Sequence, residues 1–155
     1  MEKRPQEEEI RLLRVYASEI DDLKEYVEAL YAYDEDFDAM VNIDEGVKSL
    51  LRHSNLATAF FIKLGDDRIG YTILTRYHSV EKGGLTVYID ELYVEESFRR
   101  RGVGQRIMDK IFELARIEGA KALWAQAEPY NKAAQEFFLS KGFKVNPYLN
   151  FEREL

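Results

Sequence analysis

Arg99, Arg100 and Arg101 put three fixed positive charges just ahead of Gly102, Val103, Gly104 and Gln105, a short stretch with two glycines one residue apart. Residues of these types at this spacing can hold an anion. Glycine has no Cβ, so the main chain can come close to a phosphate. From Val103 onward the sequence takes on helical periodicity: Val103, Ile107, Ile111 and Leu114 share a face, flanked by Met108, Phe112 and Ala115. The first N–H groups of a helix have no intrahelical partner and lie at the positive end of its dipole. The expected chemistry is main-chain recognition of an anion, with arginine charge beside it. Two better-known phosphate loops are excluded by spacing. The dinucleotide fingerprint needs a third glycine where Ile107 stands, and the P-loop needs a Gly-Lys-Ser/Thr run that the chain lacks. On these residues alone, an exposed Arg-rich turn capping an ordinary helix is the alternative.

The elements that must position this loop belong to a chain of 155 residues. That length suits one domain, able to bury about two-thirds of its unfolded surface. A composition of 46% hydrophobic and 33% charged residues is that of a soluble globular protein. Lys plus Arg is 22 against 29 Asp plus Glu, a net charge of −7, which argues against a nucleic-acid partner. The absence of cysteine excludes disulfides, thiolate nucleophiles and Cys-based metal sites. His53 and His78 have no matching ligand spacing, so no metal is expected. No apolar run reaches membrane-spanning length and the N-terminus has no apolar signal core, so no membrane association and a cytoplasmic location are expected.

Residues 1–9 read as a charged, disordered tail and residues 10–155 as a single domain. A strand is expected over 10–16, then Ser18 as a helix N-cap with Asp21 and Asp22 in the first turn and Ile20, Leu23, Val27 and Leu30 as the inner stripe. An acidic, aromatic run follows over 31–38, with the aromatics Tyr31, Tyr33 and Phe37 interleaved with Asp34, Glu35, Asp36 and Asp38. A second helix is expected over 44–53, with Val47, Leu50 and Leu51 inward. Strands over 57–64 and 68–78 flank a Gly65-Asp66-Asp67 hairpin, and Gly83-Gly84 makes the next turn. A strand over 121–127 carries Trp124, Gly119 and Gly142 sit where helix ends belong, and residues 148–155 form the last strand.

The strand over 85–94 changes phase. Leu85, Val87 and Ile89 alternate in one register, Leu92 and Val94 in the other, with Asp90-Glu91 between them. An inserted β-bulge does this; so does a doubly buried strand with a charged interruption.

Two motifs carry a resemblance. Arg99-X-X-Gly102-X-Gly104 after a strand resembles the pyrophosphate-binding signature of the GNAT superfamily of acyl-CoA-dependent N-acetyltransferases. Asn131-X-X-Ala134-X-X-Phe137-Phe138-X-X-X-Gly142-Phe143 resembles the second GNAT signature at all but one position. The match covers roughly residues 89–143. It implies an α/β fold, a mixed and mostly antiparallel sheet flanked by helices, with two central parallel strands splayed apart. It also favours the bulge, because the corresponding family strand is bulged.

The resemblance further implies transfer of an acetyl group from acetyl-CoA, with no metal, to an amine in a ternary complex. Main-chain groups at Leu92, Tyr93 and Val94 would hold the pantetheine arm, the loop from Arg99 to Gln105 the pyrophosphate, and Asn131 and Phe138 would complete the donor site. An alkyl amine is mostly protonated at neutral pH and needs a base. Glu91 is the expected base and Asp90 its neighbour at the acceptor side; Glu91 as a substrate anchor or as a bridge to a surface Lys is the alternative. Phe138 departs from the family Tyr that protonates the leaving thiolate, so Tyr130, Tyr93, Tyr148 or water is expected to substitute. Tyr33, Asp34, Glu35 and Asp36 point to a cationic acceptor if the run borders the acceptor cleft, and to a solvated loop if it does not. The rival reading is a non-catalytic acyl-CoA-binding module on the same fold. Whether two chains pair as a homodimer is left open.

Overall fold

The computed structural model describes residues 8–32 and 42–155. Tyr33, Asp34, Glu35 and Asp36, and with them the acidic run, lie outside the described residues, as do residues 1–7 of the expected tail. Glu8 and Glu9 are described: the Glu9 carbonyl accepts the Gly65 N–H at 3.0 Å. The chain divides into two compact units, Met1–Trp124 and Ala125–Leu155.

The first unit runs β1 (Ile10–Arg14), α1 (Ile20–Tyr31), α2 (Ile43–Leu50), β2 (Ala57–Leu64), β3 (Asp67–Ser79), β4 (Gly84–Val94) and α3 (Val103–Ile117), with β5 (Ala122–Ala125) reaching the division. The sheet order is β1-β2-β3-β4-β5. β1 to β4 pair antiparallel with their neighbours, and β4 with β5 is the one parallel pair. The expected mixed, mostly antiparallel α/β sheet flanked by helices is what forms.

Alternation assigns the two faces. Ala59, Phe61, Tyr71 and Ile73 pack with Val15, with Leu23 and Val27 of α1, and with Val47 of α2. Thr72, Leu74 and Arg76 point the other way. Arg76 there makes a two-pronged pair with Glu118, the C-cap of α3, at 2.6 Å on both prongs. The α3 stripe is Val103, Ile107, Met108, Ile111 and Ala115, all buried. Each large member contributes about 1.5–3 kcal/mol by leaving water. Leu114, expected on that stripe, is only half-buried because the contact face sits one residue round, at Ala115. Gly119 closes α3 at φ +80°, with Ala120 N–H bonding the Ala115 carbonyl at 2.9 Å.

Two further expectations fail. Ser18 does not cap α1: it lies inside a 3-10 turn, Ala17–Glu19, and Glu19 occupies the cap position. Glu19 reaches back to the Tyr16 N–H at 3.1 Å, so that turn is closed by a carboxylate three residues on rather than by the serine. The last strand over 148–155 does not form either. Val145, Tyr148, Leu149, Phe151 and Leu155 are exposed and extended in sequence character but carry no ladder. A strand is stabilised by its partner's hydrogen bonds and not by its own alternation. In consequence β5 is the end of the described sheet, not a central strand.

The second unit holds α4 (Lys132–Ser140). Asn131 caps it, its Oδ1 accepting the Ala134 N–H at 3.1 Å. Gly142, at φ +86°, ends it.

Candidate functional site

The bulge in β4 builds the site. Glu91 pairs with Ile73 and Ile89 pairs with Leu74, so adjacent residues on β3 face residues two apart on β4, and Asp90 is the extra one. Regular alternation would turn Glu91 to the α3 face with Ile89. The inserted residue instead sends it to the α1/α2 face, where two tyrosines meet it. The Tyr31 hydroxyl, from the last residue of α1, donates to Oε1. The Tyr71 hydroxyl, from β3, donates to Oε2 at 2.8 Å. The Thr72 hydroxyl fixes the strand itself, donating to the Glu91 carbonyl at 2.8 Å.

Burial pushes the Glu91 carboxyl above the usual range; the two phenol hydrogen bonds pull it back, and the Asp90 charge adds to the rise. Asp90 is also raised, by partial loss of hydration, although its residue is exposed. Tyr31 and Tyr71 are both shifted far above the ordinary phenol value by burial and by the Glu91 charge. They therefore stay protonated and serve as donors, with Glu91 as acceptor.

Beyond Glu91 the strand runs through Leu92, Tyr93 and Val94. Tyr93 packs on Tyr71 and Tyr26 at centroid distances of 6.2 and 6.0 Å, and the Arg99 guanidinium lies 5.4 Å from its ring. Arg99 Nε donates to the Val94 carbonyl at 2.6 Å, so part of this arginine's work is to tie the loop to the strand end. β3 approaches closely here. A Cβ on Gly70 would sit 2.0 Å from the Tyr93 carbonyl oxygen, so only glycine fits opposite Val94.

The chain then makes a 3-10 turn, Glu96–Phe98, and enters the loop. Arg100 takes φ +61° and Gly102 φ +70°, two left-handed residues separated by Arg101. For arginine that conformation is uncommon, and it costs energy that glycine does not pay. Arg100 and Arg101 are exposed. Gly102 is the N-cap of α3, no side chain caps it, and no acidic residue lies in the first turn. Val103, Gly104 and Gln105 are the first three residues of α3, whose N–H groups have no carbonyl one turn back to accept them. An added Cβ at Gly102 would meet no heavy atom within 4 Å, so the space over the loop is open on that side. The loop thus has the features of an anion seat: a helix N-terminus that no side chain caps, arginines beside it and no acidic residue in the helix's first turn.

The first unit thus brings together Glu91, Asp90, Leu92, Tyr93, Val94 and the segment from Arg99 to Gln105. Tyr130, Asn131 and Phe138 belong to the second unit. There Tyr130 is exposed, Asn131 caps α4, and Phe138 packs against Phe137 and Phe143 at centroid distances of 5.7 and 5.3 Å. Sequence reasoning missed Tyr31 and Tyr71 as the partners of Glu91. It missed Gly70 as well, although an isolated glycine inside a strand pattern is a signal of close backbone approach. Among the described residues no group of three or more His, Asp or Glu side chains is placed to hold a metal ion, and no helix is long and apolar enough to cross a membrane.

Comparison with known proteins adds three findings. The profile of the acetyltransferase (GNAT) family matches residues 14–143. A D-amino-acid N-acetyltransferase of Saccharomyces cerevisiae is 31% identical over 97 residues, 60% of this chain and 57% of that one; the chain spans about half the length of the curated relatives it matches. Among solved structures, a "possible acetyltransferase" from Clostridium difficile 630 superposes with a TM-score of 0.80 at 20% identity, over 96% of this chain and 99% of that one. AAC(6')-Iy, in complex with a bisubstrate analogue containing CoA, does so with a TM-score of 0.73 at 16% identity, over 94% of this chain and 98% of that one.

Proposed function

This chain belongs to the GNAT family of acetyltransferases, and from that premise we propose that it moves the acetyl group of acetyl-CoA directly to a primary amine, with Glu91 as the base. The observation that carries the reading is the placement of Glu91. The bulge turns a half-buried carboxylate with raised proton affinity to the α1/α2 face, three residues before the end of the strand that leads into the Arg-rich loop. A raised carboxyl is the kind of group that can accept a proton from an ammonium during reaction and return it to water. Asp90 beside it adds negative charge that favours a cationic amine.

Acetyl-CoA supplies an activated acyl group as a thioester. The chain's own residues would bind and orient it. The uncapped N-terminus of α3, with Gly102, Val103, Gly104 and Gln105, and the Arg99, Arg100 and Arg101 charges suit its pyrophosphate. Main-chain groups of Leu92, Tyr93 and Val94 suit the pantetheine. Asn131 and Phe138 enter through the second GNAT signature. CoA and acetyl-CoA complexes of proteins with this fold support the donor, and the names of the yeast relative and of AAC(6')-Iy, both N-acetyltransferases, support a nitrogen acceptor. A cytoplasmic location goes with this donor. Phe138 cannot give a proton to the leaving thiolate, so Tyr130 or water takes that part.

The test is release of free CoA from acetyl-CoA across a panel of amines, in wild type and Glu91→Gln. Release that depends on the amine and is lost in Glu91→Gln at mildly acidic pH supports the reading. CoA binding without release from any amine would favour the non-catalytic module instead. Within the panel, a polycationic amine should lose kcat/KM with added salt more than a monoamine does. Replacing Asp34, Glu35 and Asp36 by Asn, Gln and Asn should reduce that difference if the acidic run recruits the acceptor.

A further inference from the structure

Glu91 is held by two hydroxyls that come from different parts of the fold. Tyr71 is fully buried in β3, the neighbouring strand, so its donor is set by the sheet itself. Tyr31 is the final residue of α1 and comes from 60 positions away in sequence. Its ring packs against the core cluster under α1 and α2, while its hydroxyl reaches Oε1. The hydrogen bond to Oε1 is thus the one link between the end of α1 and the carboxylate among the bonds described for Glu91.

We propose that Tyr31 is a positioning residue for the base: its hydroxyl fixes Oε1 of Glu91, so that the end of α1 sets both the direction of the carboxylate and how readily it takes a proton. The inference rests on the reading of Glu91 as the base. Three reasons support it. First, a carboxylate at the end of a glutamate side chain has three rotatable bonds, and a single hydroxyl on Oε2 leaves the group free to pivot about that contact; a second donor on Oε1 removes the pivot. Second, each carboxylate oxygen has two acceptor sites, so one phenol on each leaves one site on each oxygen for an incoming ammonium. Third, a phenol donating to the ionised form favours that form, against the burial that disfavours it. Among the described residues, the groups facing Glu91 are Tyr31 from α1, Tyr71 from β3 and the adjacent Asp90 of β4. Tyr31 and Tyr71 do not titrate in the working range, and Asp90 is common to every variant below.

The experiment follows the Glu91 carboxyl itself. Protein labelled with carbon-13 at glutamate side-chain carboxyls is titrated by NMR, with Glu91→Gln identifying the resonance, and kcat/KM is measured over the same pH range. Tyr31→Phe keeps the ring and removes one donor to a charged group, so the Glu91 midpoint should rise by about one pH unit. The acidic limb of kcat/KM should move up with it while the alkaline plateau changes little. A difluorotyrosine at position 31 is a stronger donor and should move both midpoints down; a purely structural tyrosine predicts no such opposite shift. It also keeps the proposal testable should Tyr31→Phe fold poorly. An unmoved Glu91 midpoint in both variants overturns the proposal. A Glu91 midpoint that shifts while the rate limb stays put confirms the contact and instead removes Glu91 from the base role.

Discussion

Ile89 and Glu91 stand two residues apart on β4, pair with neighbouring Leu74 and Ile73 on β3, and face opposite sides of the sheet. One inserted residue, Asp90, thereby separates a core side chain from a candidate catalytic one. Ile89 is buried in the core, and Glu91 is delivered to the hydroxyls of Tyr31 and Tyr71.

The base role predicts a rate effect. Glu91→Gln should lower kcat/KM by about 10²–10⁴-fold where the amine is mostly protonated. The loss should shrink at high pH as the amine deprotonates unaided. A variant matching wild type on the acidic side of the pH profile would move the base elsewhere.

The same carboxyl predicts a stability effect with a definite sign. Its proton affinity is raised in the fold, so between the ordinary glutamate value and the raised one the folded state binds more protons than the unfolded state. Unfolding free energy should then fall as pH rises through that window. Glu91→Gln should flatten this part of the curve, leaving the contribution of Asp90, whose carboxyl is raised as well. Thermal melts of both proteins across mildly acidic to neutral pH measure the slope. Parallel curves would mean that the carboxyl is not raised.

Gly70→Ala should be costly because its Cβ would meet backbone, the Tyr93 carbonyl, rather than a side chain that can swing away. A loss of about 1–3 kcal/mol is expected, with weaker CoA binding as the β4 end is displaced. Gly46→Ala in α2 is the control: nothing lies within 4 Å of the added Cβ, and there the change should stabilise by about 0.5–1 kcal/mol. Chemical denaturation of both variants tests the contrast.

Gly104→Val places a branched side chain in the first turn of α3, beside the loop. The helix should survive, since Val103 and Ile107 still anchor its buried face. Calorimetric titration should show CoA affinity reduced by about tenfold or more, roughly 1.4 kcal/mol. Unchanged affinity in a folded variant would remove the pyrophosphate assignment.

Phe138→Tyr restores the residue usual in the second GNAT signature. If leaving-group protonation is now left to another tyrosine or to water, turnover should be kept or raised, and Tyr130→Phe should cost more in wild type than in the Phe138→Tyr background. A double-mutant comparison of kcat reads this coupling.

Much of the fold and part of the site were legible in the residues because they follow from local rules. The phase slip between Ile89 and Leu92 showed that alternation breaks there but left a doubly buried strand open, and the family resemblance favoured the bulge that forms. Gly102 and Gly104 marked the loop, Gly119 the end of α3, and Gly142 the end of α4, since each answers a backbone need within a few residues. The two GNAT signatures carried the family for the same reason: they are short and ordered along the chain.

Tertiary structure alone decided the rest. Tyr31 and Tyr71 lie 60 and 20 residues from Glu91 and become its hydrogen-bond partners only when α1 packs on the sheet and β3 pairs with β4. Gly70 is required only because another strand's carbonyl passes over it. Residues 148–155 have the apolar pattern of a strand and form none, because alternation offers a face and a ladder needs a partner. A sequence specifies what each segment can do with its own neighbours; which distant groups complete a half-buried carboxylate is settled by packing.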